Sequence, residues 1–134
     1  MANRISTSAR NGACNAIVDT IDVGAGTAKL QLRTGARPTN LTDAASGTLL
    51  AEFSLPNPCF GASSGGTATA NAITAVTGSA SGTVGHFRVV DRDANPVLDS
   101  DSVGTSGTEL VLNTTTIASG ADVSITSWTG TQPA

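Results

Sequence analysis

The stretch GTVGHFRVVDRDANPVLD, residues 82–99, decides the fold. Gly82–Val90 (GTVGHFRVV) reads as a strand, and Pro96–Asp99 (PVLD) is a second short apolar run. The intervening Asp91–Asn95 (DRDAN) has turn chemistry, because Asp and Asn side chains accept hydrogen bonds from backbone two residues on. Two β-like runs closed by such a turn predict a hairpin. Within the first run His86 has the opposite parity to Phe87 and Val89, which places it on a solvent-facing or interface side rather than in the core.

Period-two patterning continues on both sides of this hairpin. Leu30 and Leu32 alternate with Lys29, Gln31 and Arg33, and Gly35–Asn40 reads as a loop. Leu49, Ala51, Phe53 and Leu55 alternate with Leu50, Glu52 and Ser54 until Pro56 and Pro58, which cannot donate to a ladder. Thr67–Val76 reads as a further strand with a shallow inner face. Glu109–Leu112 and Asp122–Trp128, joined through Thr116–Gly120, complete the set. Short strands at this spacing, separated by Gly, Ser and Asn, predict an antiparallel β-sandwich of jelly-roll or immunoglobulin-like kind over residues 27–134.

Ahead of the strands, Ile5, Ala9, Ala13, Ala16, Ile17 and Ile21 recur at spacings of three and four. They predict one helix from about Ile5 to Asp22, stopped by Gly24 and Gly26. Gly12 in its middle costs about 1 kcal/mol relative to alanine, so the helix needs a surface to hold it. Residues 1–26 are therefore expected to pack on the sheet or on a neighbouring subunit. The whole reads as one domain.

Composition narrows the function. The 134 residues include 20 Ala, 20 Thr, 15 Gly and 14 Ser, just over half the chain, with four aromatic residues and no Tyr. Charged residues are 13% and the net charge is −3, which lacks the basic footprint that nucleic-acid binding needs. No apolar run approaches the length of a membrane span, and MANRISTSARNG lacks the apolar core of a signal peptide.

Candidate chemistry is sparse. His86 is the only histidine and has no neighbouring Cys, so neither a metal nor a triad role is expected. Ser63 and Ser64 are loop residues with nothing to activate them. Asp91, Asp93 and Asn95 share the opening spacing of a calcium loop, but Pro96 stands where its turn needs glycine and Ser102 where a bidentate glutamate belongs; the run is expected to be a plain turn. Gly24-Ala25-Gly26 follows a helix rather than a strand and reads as a helix stop, not a dinucleotide loop. Cys14 and Cys59 allow a bond within the chain, a bond between subunits, or free thiols. Trp128 is expected to fill a core or a subunit contact. No catalytic, cofactor or metal site emerges, and the chain is expected not to be an enzyme. Small, weakly charged side chains oppose association little, which suits permanent assembly.

The pieces GTLLAEFSL, FGASSGGTATANAIT, GTVGHFRVVDRDANPVLDSDSVGTSGTELVLNTTTI and GADVSITSW, between Gly47 and Trp128, resemble small structural proteins of tailed bacteriophages. NAIVDTIDVGAGTAKLQLRTGARP, which precedes them, resembles the same group. The resemblance implies a β-sandwich virion protein, made in the host cytoplasm, that decorates the capsid or sheathes the neck as a homotrimer beside other head or neck proteins. In that context Cys14 and Cys59 are candidates for a crosslink between subunits, closed after lysis under oxidising conditions. Ile5, Ile17, Ile21 and Trp128 are candidate interface residues. The reading from a different class is a carbohydrate- or receptor-binding β-module of a fibre or tail appendage.

Overall fold

A computed structural model describes residues 6–131 and is mainly β, with one helix on its N-terminal side. The helix α1 spans Thr7–Asp19 and runs into a 3-10 turn, Thr20–Asp22. Twelve strands follow: β1 (Lys29–Arg33), β2 (Leu49–Ser54), β3 (Thr67–Thr69), β4 (Val76–Thr77), β5 (Gly82–Thr83), β6 (His86–Val90), β7 (Pro96–Ser100), β8 (Val103–Gly104), β9 (Leu110–Leu112), β10 (Thr116–Ile117), β11 (Asp122–Val123) and β12 (Ile125–Thr131). They form a sheet β2-β1-β6-β7, a sheet β3-β12-β9-β8, and two ribbons, β5 with β10 and β4 with β11. All pairs of strands are antiparallel except β8 with β9.

The hairpin forms as its chemistry requires. Asp91 Oδ1 accepts from the backbone amides of Asp93 and Asn95, both at 2.9 Å, and Ala94 takes the left-handed φ of 66° that closes the turn. The neighbouring segment is tied to it, since Gly26 N–H donates to the Arg92 carbonyl and Arg92 N–H to that of Val23. At Gly24, φ +111°, an added Cβ would lie 2.6 Å from Asp93 Cγ, so glycine is what lets the helix stop sit against the turn.

Strand pairing in the first sheet aligns its apolar residues in rows. Phe53, Leu30, Val89 and Leu98 form one, and Ala51, Leu32, Phe87 and Ser100 the next. These rows face the second sheet, whose Trp128 meets the Phe87 ring edge-on at 6.1 Å and the Phe60 ring at 4.6 Å. Leu110, Leu112 and Ala68 of the second sheet are also part of the core. Packing of this kind contributes about 25 cal/mol per Å² of apolar surface removed from water.

Three sequence expectations are corrected. Thr67–Val76 is not one strand: it is β3 as far as Thr69, with an isolated bridge from Ala70 to Phe60, and Val76 opens β4. Gly82–Val90 is two strands, not one. The helix is shorter than expected, and its buried stripe is rotated: Cys14, Val18 and Ile21 point inward, while Ala9, Ala16 and Ile17 are exposed. The reason lies in polar groups that face inward for their hydrogen bonds. Asn15 Oδ1 accepts from Ser63 N–H at 2.9 Å, and Asn11 Oδ1 from Gly66 N–H at 2.8 Å, docking α1 on the loop before β3. Ser6 caps the helix by accepting from Ala9 N–H at 3.1 Å. Ile5 lies outside the described residues.

Candidate functional site

Both faces of β6 are buried, and they are filled by opposite chemistry. Phe87 and Val89 enter the apolar core, whereas His86 and Arg88 point to the other face of the sheet. That face is covered by the loop between β1 and β2. Arg88 is the centre of the cover. Its Nε and Nη2 donate to the two carboxylate oxygens of Asp99 at 2.7 and 2.8 Å, and Nη1 and Nη2 donate to the carbonyls of Asp43 and Leu41. The Asp99 hydrogen bonds raise the Arg88 pKa above its ordinary value against the opposing effect of burial. Glu52, Gln31, Arg88 and Asp99 thus form one polar row across all four strands, with Gln31 Nε2 donating to Glu52 at 2.9 Å.

His86 is fully buried, which corrects its expected solvent-facing or interface position. Nδ1 lies 2.9 Å from the Gly35 carbonyl oxygen, to which it donates, while Nε2 has no hydrogen-bond partner. The loop that covers His86 is a tertiary feature, invisible to strand parity.

The other candidates are placed as follows. Asp91, Asp93 and Asn95 do not converge on a point. Asp91 is consumed by the turn amides, and Asp93 Oδ1 accepts from Ala25 N–H. Among the described residues no group of three or more His, Cys, Asp or Glu side chains is arranged to hold a metal. Cys14 and Cys59 are not close to each other, and both are free thiols. A bond between them within the chain is therefore not supported, and both thiols are buried, with exposures of 3% and 0%. Cys14 Sγ donates to the Gly130 carbonyl, and burial, with Asp22 second, pushes the Cys59 thiol up to about 12. Of the candidate interface residues, Ile21 and Trp128 are buried in the protomer's own core, whereas Ile17 is 54% exposed.

Beside Arg88 and Asp99 lies an edge of the first sheet. β7 pairs with β6 alone, and every one of its five residues is half-buried. A cleft of about 220 Å³ lies on its inner side, between Leu98, Trp128 and the α1 residues Ile17 and Val18. A second, of about 580 Å³, lies on its outer side beneath Arg37, Pro38 and Leu41 and beside Asp99 and Asp101. Sequence patterning identified β7 as a strand but not as an edge, since strand order is not encoded locally. Protein-family models, curated proteins and solved structures give no match to this chain. Among the described residues no helix is long and apolar enough to cross a membrane.

Proposed function

We propose that this protein is a non-enzymatic structural component of a tailed-phage virion, which oligomerises as a trimer and decorates the head or sheathes the neck. It stabilises the particle by buried interface area. One observation carries the reading: the groups that chemistry would draw on are committed to holding the fold. His86 is fixed on Gly35, Asp99 on Arg88, Asp91 on its turn, and Ser63 Oγ donates to the Asn11 carbonyl at 2.7 Å. What the described surface offers instead is small polar side chains, with Ile17, Val23 and Leu41 as its exposed large hydrophobic residues. A glycan-binding module has less support, because Phe53, Phe60, Phe87 and Trp128, all the aromatic residues of the chain, are buried and leave no stacking platform.

The test is reconstitution. Purified protein is expected to sediment as a trimer and to bind particles assembled without it, at a copy number fixed by the symmetry of the surface it covers. A protomer that stays monomeric at high concentration and leaves the particles bare overturns the reading.

A further inference from the structure

We infer that the cleft between α1 and the second sheet is a binding site for a small neutral ring alcohol, an alicyclic or aromatic ring bearing one hydroxyl group. The site belongs to the protomer alone and does not depend on the virion reading. Ile17, Val18 and Ile21 line it from the helical side, Trp128 from β12, and Val97 and Leu98 from β7. Such side chains offer a solute no hydrogen bonds, so what they favour is apolar surface. The cleft holds about 220 Å³. An apolar cavity of about 150 Å³ already takes benzene, so this one has room for a six-membered ring and a small substituent. Sites for drug-sized molecules begin at about 300 Å³, which sets the upper limit on the ligand.

The polar substituent follows from Trp128. Its side chain is 2% exposed, and among the described residues its indole N–H has no hydrogen-bond acceptor. The side-chain nitrogen or oxygen that is both unpaired and sealed from solvent is His86 Nε2, so the unpaired indole nitrogen is instead reached from the cleft that Trp128 lines. A buried tryptophan normally finds a partner for this group, and an indole can only donate. The ligand atom that meets it is therefore an acceptor.

Charge selects which acceptor. Glu109 is the one charged side chain lining the cleft; it is exposed, and among the described residues no cation pairs with it. A carboxylate ligand would meet a like charge in surroundings of lowered dielectric. An ammonium group would suit Glu109 but has no lone pair for the indole N–H. A hydroxyl accepts from the indole and keeps a proton to donate, which matches a site with one free donor and one free acceptor.

Trp128 is the only tryptophan, so a single indole N–H signal reports on the site. The probe is cyclohexanol, titrated into the full-length isotope-labelled chain, with cyclohexanecarboxylate and cyclohexylammonium as charged controls. A saturated ring has no ring current, so a downfield shift of the indole proton marks a new hydrogen bond. That shift is expected with cyclohexanol, saturating with a midpoint of about 1 mM, together with methyl shifts confined to Ile17, Val18, Ile21, Val97 and Leu98. The carboxylate is expected to bind about tenfold more weakly, and the ammonium to leave the indole proton in place. Ile17→Asp is expected to weaken cyclohexanol binding about tenfold, and Glu109→Gln to strengthen carboxylate binding about fivefold. Both side chains are exposed, so both variants are expected to keep the wild-type melting temperature. No saturable response, an indole proton that stays still or shifts alike with all three compounds, a carboxylate that binds as tightly as the alcohol, or undiminished binding by Ile17→Asp overturns the inference.

Discussion

The two faces of β6 bury similar amounts of side chain by different means. On the inner face Phe87 and Val89 pack against a second sheet, and water is excluded because nothing there needs it. On the outer face Arg88 is only 5% exposed, yet it keeps its charge because a bidentate carboxylate and two loop carbonyls replace its hydration. Apolar packing tolerates small geometric errors, whereas a buried ion pair is stabilising only when every partner is present. The difference also appears in the ionisation of two buried groups. Both Arg88 and Cys59 have raised pKa values, but for the guanidinium this favours the charged form and for the thiol it favours the neutral one.

The largest expected effects compare the two faces directly. Phe87→Ala should destabilise the fold by about 3–5 kcal/mol through lost burial and the cavity left behind. Asp99→Ala should cost a similar ~3–5 kcal/mol by leaving Arg88 buried without its counter-ion. Urea denaturation measures both. A loss below about 1 kcal/mol for Asp99→Ala would mean the outer face behaves as a solvated surface pair.

The double variant Arg88→Met, Asp99→Leu sharpens the contrast. Apolar replacement of both partners should restore stability to within about 2 kcal/mol of wild type. The loop around Leu41 and Asp43, having lost its anchor, should become the first site of limited proteolysis. If the double variant is no more stable than Asp99→Ala, the ion pair is not what the outer face depends on.

Smaller again is Asp91→Ala, which removes the acceptor for two turn amides and should cost about 1–2 kcal/mol, read from the thermal midpoint. The amide signals of β7 should report any accompanying slip of the hairpin.

The smallest effect depends on pH and concerns the inner face. Cys59 is raised from the ordinary thiol value near 9 to about 12, so between those values the unfolded chain loses the proton and the folded chain keeps it. Its contribution to stability is intact below pH 9 and is lost as pH rises toward 12. Wild type should therefore lose more stability than Cys59→Ala between about pH 8 and about pH 10.5, measured by urea midpoints at each. Parallel losses in the two proteins would show that the Cys59 thiol ionises in place.

Much of the fold was legible in the sequence because strands with one wet face announce themselves by alternation. Leu30 and Leu32 against Gln31 and Arg33, or Phe53 against Glu52, are examples. The helix was legible in existence but not in phase. Half of its candidate stripe was alanine, which fits either side, and its true inner face holds Asn11 and Asn15, whose bonds to the loop before β3 are long-range. For the candidate site, the exposed position of Ile17 could be assigned to the helix surface only after the stripe was rotated. Val97, Leu98 and Asp101 carry no local mark of an edge.

The sequence by itself determined a mainly β chain, the hairpin around DRDAN, and the absence of the charge and aromatic content that several function classes require. Tertiary structure decided the rest, and the hairpin shows why. Closing it with Val90 opposite Pro96 would, in regular pairing, set Arg88 against Leu98. A bulge on β7 moves the register by one residue and brings Asp99 to Arg88 instead. Alternation has a period of two, so one inserted residue exchanges the faces of everything beyond it. Only the competing demands of an apolar core on one side and a covered guanidinium on the other select the bulged register, and those demands come from segments distant in the chain.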